Sequence, residues 1–124
     1  MRLERSVFLR TAITLAILGL AAAALGETQQ AGLPRGKVLL ENDRVLVVEG
    51  TLAPGEATGM HKHPLPAVVI CIEGGTLKET FPDGTTRTYE RKTGDMAWRQ
   101  KDFQHDEINV GQTRERVIAV QLKP

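Results

Sequence analysis

The chain has 124 residues, a formal charge of +1, 25% charged and 41% hydrophobic residues, and a single cysteine. That is the length and apolar content of one folded domain, and one cysteine excludes an internal disulfide framework or a cysteine-rich zinc site. Balanced, scattered charge argues against nucleic acid as a partner, and 4% aromatic content argues against a stacking surface for bases or sugars.

The first ten residues carry Arg2, Arg5 and Arg10 against one acid, Glu4. Thr11 to Leu25 is an uncharged apolar run, followed by Gly26 and then by the polar Glu27, Thr28, Gln29 and Gln30. A basic start, a short apolar stretch and a small-residue exit predict a secretory signal peptide over residues 1–26, with Ala24 and Gly26 at the positions a signal peptidase reads. The run is shorter than the ~20 residues that span a bilayer. The expectation is therefore a periplasmic or secreted protein with no stable membrane insertion after cleavage. Residues 27–36 read as a flexible N-terminal segment and 37–124 as the folded domain.

Arg44 to Leu52 is rich in β-branched residues between Asn42-Asp43 and Pro54-Gly55, which predicts a strand. Ala67 to Ile72, closed by Gly74-Gly75, reads as a strand buried on both faces. Thr76 to Phe81 and Thr85 to Arg91 flank Pro82-Asp83-Gly84, a hairpin signal. Met96 to Arg99, His105 to Val110 and Glu115 to Leu122 complete the series. Turn signals about every ten residues, without a helical period, point to an all-β sandwich or barrel.

The three histidines are the candidates for chemistry. His61 and His63 are two apart in an extended segment, so both imidazoles share one face about 7 Å apart along the backbone. Neighbouring imidazoles can converge on zinc, copper, iron or nickel. By spacing alone, packing or surface histidines remain an equal reading.

Gly55, His61, His63 and Gly74 resemble the first motif of the cupin superfamily, G-x5-H-x-H-x(3,4)-E-x6-G. Gly94, His105 and Asn109 resemble the second, G-x5-P-x-G-x2-H-x3-N. The runs ENDRVLVVE, HKHPLPAVV, GDMAW and NVGQT are similar to the small single-domain cupins associated with β-alanine degradation. The resemblance implies a double-stranded β-helix, or jelly roll, with a divalent metal held by His61, His63 and His105. Iron(II) is the expected ion, with zinc, manganese, nickel and copper left open. Self-association is common in the superfamily, so a homodimer is expected.

The chain departs from the motifs at three positions. Ala67 stands where the first motif has its glutamate ligand, and Gln100 and Asp102 stand where the second has its proline and glycine. A centre of three neutral imidazoles leaves an ion its full charge and open positions, which suits an anionic ligand. It resembles the three-histidine arrangement of thiol and diketone dioxygenases. Glu107 shares the face of His105 by alternation and is the candidate catalytic residue, as a fourth ligand or general base, unless a bulge turns it outwards. Cys71 is expected inside with Ala67 and Val69. Trp98 and Met96 are expected in the core or along the cavity wall. Arg99 is either a solvated strand residue or a partner for a substrate carboxylate. Lys62 should point away from the metal, and Asn109 should make structural hydrogen bonds. Two function classes follow: a metal-dependent oxygenase on a small acid, thiol or diketone, and a non-catalytic periplasmic protein that binds a metal or small ligand. A vestigial barrel kept for dimerisation is a third.

Overall fold

A computed structural model of the chain describes residues 36–124. The expected signal peptide, and all of the segment after it but Gly36, lie outside the described residues. Among the described residues nine strands follow one another: β1 (Lys37–Glu41), β2 (Val45–Leu52), β3 (His61–Lys62), β4 (Ala67–Glu73), β5 (Gly75–Thr80), β6 (Thr86–Arg91), β7 (Met96–Arg99), β8 (Gln104–Asn109) and β9 (Glu115–Leu122). The all-β expectation holds, and each expected strand lies within a residue of its observed bounds. The addition is β1, whose run KVLLE carries no alternation and forms by pairing on β2.

Five strands form one sheet in the order β1-β2-β9-β4-β7, and four form the other in the order β3-β8-β5-β6. Every pairing is antiparallel, and neighbours in space are mostly distant in sequence, which is jelly-roll connectivity. The Pro82-Asp83-Gly84 hairpin joins β5 to β6, with Gly84 at φ 84°, a left-handed backbone that glycine adopts freely. Gly74 is required for a different reason: a Cβ there would overlap the carbonyl oxygen of Arg91.

Alternation sorts the side chains of the five-stranded sheet. Val48, Ala119 and Val69 form one inward row in register, and Val117 and Cys71 lie in the next. Val69, Val117 and Ala119 form a contiguous apolar cluster. Cys71 is 2% exposed, the inward core position expected for it, and burial pushes its thiol pKa up. On the other side of the Val48-Ala119-Val69 row come Leu46, Gln121, Ala67 and Arg99, so this sheet turns polar at one end of the interior. The four-stranded sheet faces it with His105, Glu107, Glu79 and Asn109.

The placement of β7 overturns one expectation. Ala67 points inwards opposite Arg99, so Arg99 is inside and Trp98 and Met96 are outside, 53% and 71% exposed. Trp98 therefore packs neither in the core nor on the cavity wall. Met96 only edges a cleft of about 210 Å³ between β6 and β7.

Candidate metal centre

β3 presents His61, and the extended chain returns His63 to the same side two residues later. β8 pairs with β3 so that His105 lies in register with His61. A turn beyond β7 ties the two segments together: His63 donates its backbone N–H to the Phe103 carbonyl at 2.8 Å, and Asp102 donates to the His63 carbonyl at 2.7 Å. Asp102 takes φ 69°, so it keeps the left-handed conformation that the motif glycine would supply. Aspartate is among the few residues that adopt it readily. Lys62 points away from the histidines, as expected, and pairs with Asp102 at 3.1 Å.

The three imidazoles meet in the barrel with ring centroids 4.7 to 5.1 Å apart. One ring nitrogen from each lies within 4.8 Å of the other two, a group that can hold a metal ion. Ligand nitrogens 2.0–2.1 Å from a common ion stand roughly 3–3.5 Å apart, so only a small closure is needed. The tautomers suit ligation. His61 donates from Nδ1 to the Gly59 carbonyl at 2.9 Å, and His105 donates from Nδ1 to Glu79 Oε1 at 2.6 Å. Each is left with an Nε2 lone pair. His63 Nε2 donates to His105 Nε2 at 3.0 Å, while His61 Nε2 is buried with no hydrogen-bond partner among the described residues. A buried nitrogen lone pair without a partner is unfavourable unless a cation takes it. Burial, reinforced by His105 and His61, pushes the His63 pKa down to about 3. Burial also lowers His105, against the opposing pull of Glu107 and Glu79. Both imidazoles are neutral at neutral pH, the form that ligates.

Glu107 faces inwards, so no bulge turns it out. Its Oε1 accepts from Tyr89 Oη at 2.6 Å and Arg91 Nη2 at 2.7 Å, with Arg99 Nη2 at 3.5 Å. Burial raises its pKa, but Arg91, His105, the Tyr89 hydroxyl and Arg99 outweigh that and hold it at about 2. It also belongs to a second group able to hold a metal, with Glu79 and His105. Asn109 is structural: Nδ2 donates to the Leu52 and Thr113 carbonyls and Oδ1 accepts from Gly111.

Sequence reasoning singled out none of Glu79, Tyr89, Arg91 or Glu115. Glu79 is fully buried and bridges His105 to Arg87, and Arg91 lies between Glu107 and Glu115. The one available signal was alternation, which puts Leu77 with Glu79 and Tyr89 with Arg91 on shared faces. Which face was inward depended on a cross-strand register invisible in the one-dimensional pattern.

No family model matches the chain. It is 30% identical over 86 residues to the β-alanine degradation protein BauB of Pseudomonas aeruginosa, covering 69% of this chain and 90% of that protein. Among solved structures, a cupin domain from Bordetella pertussis superposes with a TM-score of 0.67 at 29% identity, over 72% of this chain and 92% of that one. A conserved protein with a double-stranded β-helix domain from Klebsiella pneumoniae gives a TM-score of 0.60 at 26% identity, over 75% and 78% respectively.

Proposed function

Starting from a chain that belongs to the cupin superfamily, we propose that it is an exported small cupin that binds one divalent metal ion through His61, His63 and His105. The ion serves a dioxygenase-type reaction on a small anionic substrate: an acid, a thiol or a diketone. The observation that carries this reading is the buried Nε2 of His61, partnerless among the described residues, beside the Nε2 atoms of His63 and His105. When bound, iron(II) supplies the redox chemistry and a Lewis acid for an anionic ligand. The chain's own residues do the rest. Gly59 and Glu79 fix the tautomers of His61 and His105, and His63 would present Nε2 to an ion in its Nδ1–H tautomer. Glu107 is, with Glu79, a carboxylate near His105 that can serve as an additional ligand. Held at about 2 by Arg91 and Tyr89, it is a weak proton acceptor at neutral pH. Export rests on the basic-then-apolar pattern of residues 1–26. The β-alanine degradation in the name of the Pseudomonas relative agrees with a small acid as substrate.

One observation favours the second reading, a non-catalytic binding protein. Ala67 occupies the position of the motif glutamate, and Glu107 is engaged by Arg91, so neither position offers a carboxylate free to move a proton. Elemental analysis of protein purified without chelators, beside a His61→Ala/His105→Ala variant, tests the shared premise. About one metal per chain, lost in the variant, is expected; no metal in the wild type, even after soaking, sinks both readings. Oxygen consumption by the iron form across acids, thiols and diketones then separates them, since silence with the metal retained leaves the binding protein.

A further inference from the structure

The chain between β2 and β4, residues 53–66, carries two of the three histidines and is held to the barrel very unevenly. Its first half is stitched to β8. Gly55 donates to the Asn109 carbonyl at 2.8 Å, Asn109 to that of Glu56 at 2.9 Å, and Thr58 to that of Glu107 at 2.8 Å. The Thr58 hydroxyl accepts a further bond from the Glu107 N–H at 2.9 Å. Residues 59–66 have less. β3 pairs at His61 and Lys62 only, and His63 adds its two bonds to Phe103 and Asp102. Pro64 and Pro66 have no N–H to donate, and the Pro66 carbonyl accepts from Leu122 at 2.8 Å.

Side chains do not make up the difference. Across residues 53–66 the one buried side chain is His63. Met60 is 46% exposed, and Leu65 is half-buried beside a cleft of about 230 Å³ that Pro66, Lys101 and Leu122 also line. The Lys62–Asp102 ion pair is exposed at both ends, and such pairs contribute little. A segment with few buried apolar contacts opens at low cost. Gly59 stands between the two halves with φ 74° and open space where a Cβ would point, so the backbone is free to pivot there. The cleft leaves room for the other end, at Leu65 and Pro66, to follow.

What this half offers in place of an apolar anchor is its histidines. His61 and His63 ride on it, whereas His105 sits on β8, which pairs with β5 on its other side, and its ring is held by Glu79. An ion shared by the three therefore joins a loosely held segment to a firmly held strand. His63 and His105 are 5% and 1% exposed, and part of their cover is the segment itself, whose His61 ring lies 4.7 Å from that of His105. We propose that residues 59–66 are a metal-locked strap, which swings out on Gly59 to admit the ion and is fastened to β8 when His61 and His63 close on it together with His105. This rests on the three-histidine reading and adds a moving part to it. Ordering the strap costs conformational entropy, which ligation offsets.

Hydrogen exchange of the full chain, stripped with a chelator and then loaded with zinc(II), follows the strap directly. Amides within residues 59–66 should exchange about tenfold or more slowly with zinc, while those of β2, β4 and β9 keep their rates. Elemental analysis of the same samples separates the two readings. Zinc bound without slower exchange in residues 59–66 overturns the strap and leaves the metal centre standing. No zinc bound overturns the metal centre, and the strap with it. A cross-link then tests the opening. Lys62 and Gln104 are paired across β3 and β8 with both side chains exposed, and antiparallel partners lie close enough for a disulfide. Oxidised Lys62→Cys/Gln104→Cys should take up zinc at least about tenfold more slowly than the same protein reduced. Equal uptake rates in the two states overturn the opening. The exchange experiment on the unsubstituted chain keeps the proposal falsifiable if the double variant does not fold.

Discussion

On the inner face of the five-stranded sheet the row that begins β4 is Leu46, Gln121, Ala67 and Arg99; on the outer face the neighbouring row is Val47, Val120, Val68 and Trp98. The contrast extends further. Among the described residues, the buried set holds nine polar or charged side chains and eight hydrophobic ones, while Ile70, Ile118 and Val120 lie half-buried outside. Ordinary sheets keep their apolar face in and their polar face out. Here the inside carries charge, and part of the apolar surface of the small barrel is displaced to the exterior. The inner face is therefore held by paired charges, and we propose that the outer face meets another copy of the chain. An isologous contact there would bring a rim of both signs together, because Arg116 sits beside Glu49 and Glu73.

The inner face breaks hardest at Arg91. Its guanidinium holds Glu107 and Glu115 together, all three side chains being a tenth exposed or less. Arg91→Met leaves two buried carboxylates uncompensated and should destabilise the fold by about 3–5 kcal/mol, read by chemical denaturation at pH 7. The pH dependence should change with it. Glu107 has its pKa held from the usual 4.5 down to about 2, so in the wild type its contribution is present above pH 4.5 and is lost as pH falls towards 2. In the variant the carboxylates are strained when charged, so its stability deficit should shrink over that window. A deficit under 1 kcal/mol at pH 7 would mean that the interior tolerates the charges by admitting water.

What was legible in the chain and what was not divides along the same faces. Period-two alternation and turn residues were enough for the strands other than β1, because they are local. The three histidines were legible because one sits on β3, one just after it on the same side, and the third on the partner strand at motif spacing. The Arg91–Glu107 pair was not, since it joins residues sixteen apart through two separate pairings, β5 with β6 and β5 with β8. Trp98 was misplaced for a physical reason: a large apolar residue argues for the core, but an inward Ala67 opposite Arg99 leaves the outside to its neighbour. At Asp102 the departure from the motif glycine changed nothing in the turn, whose backbone the aspartate adopts.

A smaller effect is expected at Glu79, which positions His105 and touches no ligand in the proposed chemistry. Glu79→Gln keeps an acceptor for the His105 Nδ1–H but removes its charge. Zinc affinity should fall about 10- to 100-fold, measured by competition with a chromogenic chelator, while the variant remains folded. An unchanged affinity would reduce Glu79 to a partner of Arg87. The size of the loss therefore shows how far the charged interior is coupled to the metal centre.

The outer face supplies the smallest change in fold stability and the sharpest contrast. Trp98 is half exposed and makes no hydrogen bond to a described residue, so Trp98→Ser should alter the denaturation free energy by no more than about 0.5 kcal/mol when measured in dilute protein. The same substitution removes the largest side chain from the proposed copy-to-copy surface, where aromatic residues carry much of the binding energy. Sedimentation across a concentration series should show a dimer in the wild type and a dissociation constant at least about tenfold weaker in the variant. A wild type that stays monomeric at high concentration would remove the second copy as the cover for this face. A dimer unaffected by Trp98→Ser would move the contact elsewhere, to β1 or β6, whose edges the two sheets leave unpaired.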